Sequence, residues 1–219
     1  MRTIRRLSSG LALLVLLPTV AAAQTAHPFT NAWYWGAKGG AMTVRTGEES
    51  KIAPIIGAEW MITRTRAGLY LSIEQGYFDA LGTVVDSSSA TGLRDVTMKN
   101  FRRANAVLLA YPGMVGQLRP YAGIGVALNL IQRARPVNGT FSSPGAATEV
   151  MARIEDRRSR TSVVFMGGVQ REWQNLALFG QATAMPTGSR FLLSGDDNLY
   201  IVEAGLRLNI GSAIEKMDR

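Results

Sequence analysis

An eight-stranded antiparallel up-and-down β-barrel is the fold class this sequence predicts, and three observations predict it. From about residue 32 onward, eight stretches alternate apolar with small or polar side chains at a period of two. The connections between them are alternately tight and long. A leader with the composition of an export signal precedes the first stretch.

The leader comes first in the chain. Arg2, Arg5 and Arg6 precede an apolar run from Leu11 to Leu17, followed by Pro18 and the small residues Ala21, Ala22 and Ala23. That order is a secretory signal peptide over residues 1–23, exported by Sec and cut near Ala23. The apolar run is far short of the roughly 20 residues that span a bilayer as a helix, and no later run reaches that length. Residues 24–31 form a lead-in on the periplasmic side and contain His27, the one histidine in the chain.

Strands are predicted at Ala32–Thr46, Ile52–Thr63, Ala67–Phe78, Val96–Tyr111, Arg119–Arg133, Arg160–Trp173, Leu176–Pro186 and Asn198–Ile210. The connections Thr63–Ala67, Pro112–Leu118 and Trp173–Leu176 are tight. Those near residues 47–51, 79–95, 134–159 and 187–197 are mostly longer and rich in Gly, Ser, Asp and Pro. Short turns at one end and long loops at the other, with both termini at the short-turn end, make a transmembrane barrel over residues 32–211. Residues 212–219 form a C-terminal tail.

Alternation is cleanest in the fifth and eighth strands. Ile124, Val126, Leu128 and Leu130 oppose Gly123, Gly125, Ala127 and Asn129; Tyr200, Val202, Ala204, Leu206, Leu208 and Ile210 oppose Glu203, Gly205, Arg207 and Asn209. The third strand sets Leu69, Leu71 and Ile73 against Tyr70, Ser72 and Glu74, and the second sets Ile56, Ala58, Trp60 and Ile62 against Gly57 and Glu59. A soluble lipocalin-like barrel would show the same period with its apolar face inward, so composition has to decide. Water-facing strands favour Thr, Lys and Glu, whereas Gly and Ala weaken a strand without covering it. Here the second face is Gly and Ala with a few charges of both signs, which suits the cramped lumen of eight strands. Trp33, Trp35, Tyr111, Tyr121, Trp173 and Tyr200, at strand ends, are expected in the two interfacial girdles.

With the apolar face outward, Lys38, Glu59, Glu74, Arg102, Glu203 and Arg207 point into the lumen. Buried charges demand partners, so a network of ion pairs plugging the barrel is expected. A proton or ion path is the alternative. Arg103 and Asn105 then fall in the lipid-facing register, where lipopolysaccharide phosphates could pair with the arginine, or where a β-bulge turns both inward. The formal charge is +8, of which three charges are signal-peptide arginines, leaving +5. There is no cysteine, which excludes a lipobox anchor and a disulfide scaffold.

The chain resembles the small outer-membrane β-barrel proteins of the OmpA-like and OmpX-like kind. The likeness rests on Trp33-Tyr34-Trp35-Gly36-Ala37-Lys38-Gly39-Gly40, on Arg119-Pro120-Tyr121-Ala122-Gly123-Ile124-Gly125, and on Glu203-Ala204-Gly205-Leu206-Arg207-Leu208. The resemblance implies an outer-membrane location, insertion by the barrel-assembly machinery and a non-enzymatic role. Barrels of this kind usually close on an aromatic residue, whereas here Ile210 is followed by Gly211 to Arg219 without one. That departure implies either a different insertion signal or a short periplasmic tail.

The loops hold the remaining candidates. Arg133, Arg135, Arg157, Arg158 and Arg160 lie in or beside the longest loop with Arg153, against Glu149, Glu155 and Asp156. They read as a solvated surface or, more sharply, as contacts to lipopolysaccharide or a host polyanion. Asn138-Gly139-Thr140 matches a glycosylation sequon but reads as a turn, and Ser194-Gly195-Asp196-Asp197-Asn198 lacks the spaced carboxylates of a calcium loop. Outer-membrane lipid A deacylases and acyltransferases use a histidine near the outer rim. His27 sits at the opposite end, so that chemistry is not expected. No cofactor, metal or nucleic-acid partner is implied. The expected protein is a monomeric envelope barrel whose loops supply stability, adhesion or contact with an extracellular ligand, with the soluble ligand-binding barrel and the lipid-modifying enzyme as rivals.

Overall fold

The computed structural model describes residue 29 and residues 31–188, 191–193 and 198–212. The export signal, His27, the turn over 194–197 and most of the C-terminal tail lie outside the described residues. Eight strands follow in order: β1 (Ala32–Arg45), β2 (Ser50–Thr63), β3 (Ala67–Val85), β4 (Leu93–Ala110), β5 (Leu118–Pro136), β6 (Ser159–Trp173), β7 (Leu176–Pro186) and β8 (Asn198–Ser212). One helix, α1 (Pro144–Arg157), lies between β5 and β6. Every strand pairs antiparallel with its sequence neighbours, and β8 returns to β1, so the barrel closes with no free edge. Closure satisfies the backbone donors and acceptors around the whole ring, as strands require in an apolar solvent.

The period-two pattern translates directly into two faces. Outward stand Ile56, Ile73, Leu108, Ile124, Val126, Leu128, Phe165, Leu178, Val202, Leu206 and Leu208, all exposed. The inward face has three layers. At the long-loop end it is apolar, with Met42, Ile55, Met98, Phe101, Ile131 and Met185. Charged and amide side chains occupy the middle. At the short-turn end are Tyr34, Tyr111 and Tyr121, with Phe29 packed edge-on against Tyr111 at 4.8 Å between ring centres.

The structure differs from the sequence expectation in three respects. β3, β4 and β5 are longer than predicted, because residues 79–95, read as a loop from their Asp, Gly and Ser, continue the ladder as far as Val85 and Leu93, and Ala134, Arg135 and Pro136 pair with Met98, Thr97 and Val96. Ala80, Val84, Val96 and Met98 face inward there, so the alternation persists beneath the turn-forming residues. The loop 134–159 contains α1, whose start is fixed by Ser143, its Oγ accepting from the Ala146 amide at 3.2 Å, and by Pro144 in the first turn. Val150 and Ile154, one turn apart, face the barrel mouth and are buried.

The third difference is a change of face within β4. Two β3 residues, Tyr77 and Phe78, stand where β4 offers only Asn100, and the ladder resumes at Asp79 and Lys99. Asn100 takes a left-handed backbone with φ 58°. Asparagine tolerates that region better than most residues. Before this point Val96 and Met98 are inward; after it Phe101, Arg103 and Asn105 are. Arg103 therefore enters the lumen and Arg102 stays on the outer wall, the reverse of the register that put Arg102 inside.

Candidate functional site

Six charged side chains converge in the middle of the lumen: Lys38 from β1, Glu59 from β2, Glu74 from β3, Arg103 from β4, and Glu203 and Arg207 from β8. Strand register makes the room. Lys38 is paired across to Gly57 on one side and Gly205 on the other, and Gly57 is paired in turn to Glu74. A Cβ on Gly57 would lie 2.7 Å from Glu74 Cγ and 3.2 Å from Lys38 Cε, and one on Gly36 would lie 2.8 Å from Glu59 Cγ. Small residues beside large charged ones are what an eight-stranded interior can hold.

The charges form one connected set. Lys38 Nζ lies 2.5 Å from Glu74 Oε1 and 3.0 Å from Glu203 Oε2, and donates to the Tyr70 hydroxyl at 2.6 Å. Arg103 pairs with Glu74 and lies 3.8 Å from Glu203. Ser72 and Asn105 each donate to Glu74 Oε1 at 2.8 Å. Arg207 pairs with Glu59, donates to Gln170 Oε1 at 2.6 Å, and lies 3.8 Å above the centre of the Phe179 ring. Gln181 joins the two halves, donating to Glu203 at 3.0 Å and accepting from the Tyr121 hydroxyl at 3.0 Å. Three cations thus balance three anions, and their mutual pairing offsets the cost of removing each from water.

Lys38, Glu59, Glu74, Glu203 and Arg207 are inside, where the alternation puts them. Arg103 is fully buried, so it is not a lipopolysaccharide contact, and Arg102 is not part of the network. Tyr111 and Tyr121 are buried inside the barrel and are not interfacial. Tyr121 shares its parity with Gly123 and Gly125, which was signal enough. Trp33, Trp35, Trp173 and Tyr200 do stand on the outer surface. Sequence reasoning missed Tyr70, Gln170 and Gln181 as partners of the ions, although Tyr70 shares its strand face with Glu74 and Gln170 with Gly168; Gln181, between Phe179 and Thr183 on its face of β7, carried no such sign.

At the long-loop end, Arg94 ties two loops together. Its Nε lies 2.6 Å from Asp86 Oδ2, and its Nη1 donates to the carbonyls of Asn138 at 2.8 Å and Thr140 at 3.1 Å, with the guanidinium 4.1 Å over the Phe141 ring. The Ser88 hydroxyl and Arg94 both donate to Asp86, and the Ser88 amide adds a third bond, holding that carboxyl down at about 2. Beside this clamp opens a polar cleft of about 570 Å³ lined by Glu48, Thr83, Ser89, Thr91, Asp95 and Asn138 among others. Arg158 pairs with Glu155 at 2.7 Å, Arg157 ends α1, and Arg160 stands exposed at the rim. Among the described residues no group of three His, Cys, Asp or Glu side chains could hold a metal ion.

A closed ring of eight antiparallel strands, ionic within and apolar without, defines the small outer-membrane β-barrel class of fold. Among solved structures the chain resembles Neisserial surface protein A, with a TM-score of 0.53 and 13% identity over 80% of this chain and 96% of that one. The attachment invasion locus protein Ail of Yersinia pestis, solved with the heparin analogue sucrose octasulfate, matches at a TM-score of 0.48 and 13% identity over 82% of this chain and 99% of its own. OprG of Pseudomonas aeruginosa matches at 0.43 and 11% over 82% and 94%. No protein-family model and no curated protein sequence matches.

Proposed function

We propose that this protein is an integral, non-enzymatic barrel of the bacterial outer membrane whose long loops and α1 present a surface outside the cell for adhesion or other contact. One observation carries the reading: the barrel is inverted relative to a water-soluble one. Isoleucine, leucine, valine and phenylalanine side chains lie exposed all round its wall while six ions are buried at its centre. Continuous exposed apolar surface on this scale is untenable in water and natural in lipid. A lipocalin-like barrel would place those two sets the other way about.

The non-enzymatic role is supported by the site itself. The buried ions are committed to one another, and a structural plug is the use their geometry favours over a reactive one. Lipid and lipopolysaccharide around the wall, and the barrel-assembly machinery during insertion, are the partners this reading brings with it. An epitope inserted after Gly139, in the loop before α1, tests the orientation. Antibody labelling of intact cells is expected; labelling only after the outer membrane is permeabilised would overturn a role outside the cell.

A further inference from the structure

The outer wall carries an apolar groove of about 430 Å³ lined by Trp35, Ala58, Trp60, Leu71, Ile73 and Ala104. Strand register explains the hollow. Ala37, Ala58 and Ala104 share one row with Ile73, and Trp35, Trp60 and Leu71 share the next. The alanines leave a floor beside the indole rings.

Toward the long-loop end, the next outward residue after Ala104 on β4 is Arg102, about 7 Å further along the strand. Beyond it Lys99 stands directly across from Arg133, and Thr97 from Arg135. Asp79 pairs with Lys99 at 2.5 Å. The side chains of Arg133 and Arg135 have no ion pair or hydrogen bond among the described residues, and that of Arg102 has only a 3.4 Å contact to Gln75 Oε1. Cations facing each other across a sheet repel, and here one carboxylate serves four of them. The wall therefore offers a hollow for a hydrocarbon chain with the Arg102 guanidinium at its upper end and those of Arg133 and Arg135 about 10 and 17 Å further toward the loops.

We infer that this face binds one phosphorylated lipid of the outer leaflet, an acyl chain lying in the groove and phosphate oxygens meeting Arg102, Arg133 and Arg135. The inference rests on the outer-membrane reading and deepens it by naming the lipid site. Arginine suits it, because its planar fork matches phosphate geometry. All six residues lining the chain portion stand on paired strands, so the hollow exists before the lipid arrives.

Diphosphoryl lipid A is the probe, offered to the purified full-length barrel in an uncharged detergent and counted by native mass spectrometry. One retained molecule is expected. The triple variant Arg102→Gln/Arg133→Gln/Arg135→Gln should lose retention by at least about ten-fold, the effect of losing even one charged hydrogen bond. Ala104→Phe, which fills the groove, should lose it too, with the gel-mobility shift of the closed barrel kept as proof of folding. Equal retention by the triple variant, or equal binding of dephosphorylated lipid A, would overturn the phosphate assignment. A dimer abolished by Ala104→Phe with lipid A retention unchanged would give the groove to a second copy and overturn the lipid. Failure of the membrane reading would show separately, as a soluble protein on cell fractionation.

Discussion

Glu74 is the hub of the lumen, so replacing it probes the plug most sharply. Its carboxylate meets Lys38 at 2.5 Å, accepts from Ser72 and Asn105, and pairs with Arg103. In Glu74→Ala, Lys38 keeps Glu203 at 3.0 Å, but Arg103 is left with only the same Glu203 at 3.8 Å. Two buried cations then share one anion, and both Ser72 and Asn105 lose an acceptor. Breaking a buried pair by removing one partner costs about 3–5 kcal/mol. The double variant Glu74→Met/Arg103→Met removes an anion and a cation together, leaving Lys38 with Glu203 and Arg207 with Glu59. Apolar side chains of similar length refill the space, and the cost should fall to about 1 kcal/mol or less. Urea unfolding in phospholipid vesicles, followed by tryptophan fluorescence, measures both. A single variant as stable as the parent, or a double variant no better than the single, would refute the charge-matching argument.

Other outcomes follow from the same geometry. Gly57→Ala should lower stability by about 1–3 kcal/mol in the same assay, because its new methyl would sit 2.7 Å from Glu74 Cγ and 2.8 Å from the Ile73 carbonyl oxygen. The Asp86 carboxyl is held below its ordinary value of 3.8, at about 2. Its contribution is therefore fully present above about pH 4 and is lost as pH falls through 3 toward 2; the protection of the Ser88 amide, measured as the ratio of intrinsic to observed hydrogen-exchange rate, should fall over that window in the parent and stay constant there in Asp86→Asn. Filled by Phe101, Arg103, Arg207 and Tyr121, the lumen should carry no steady ion current in a planar bilayer, and a sustained open level would contradict the plug.

Much of this fold was legible because a closed barrel in lipid has one repeating rule, and β8 and β5 as far as Ile131 obey it most cleanly. The rule weakened in β4, where apolar residues occur on both faces. Val107, Leu109 and Tyr111 line the lower lumen, so "apolar outward" gave the wrong parity for Arg102 and Arg103. Only the left-handed Asn100 and the extra residue on β3 reconcile the two halves of that strand, and neither is visible as a pattern. The helix α1 hid for a different reason. Its four charged residues between Glu149 and Asp156 resemble a solvated loop, and the informative signs were Ser143-Pro144 and the one-turn spacing of Val150 and Ile154. For the site, five of the six ions were readable from parity, while Gln170 became a partner of Arg207 across the lumen and Gln181 a partner of Glu203 only through the register of β7 on β8.

Mobility on a denaturing gel, with and without boiling, after fractionation of expressing cells, tests the central claim most directly. A closed, hydrogen-bonded barrel resists detergent until heated, so a heat-dependent shift in the outer-membrane fraction is expected. A soluble protein that shows no shift would contradict a barrel with its ions inside and its apolar wall in lipid.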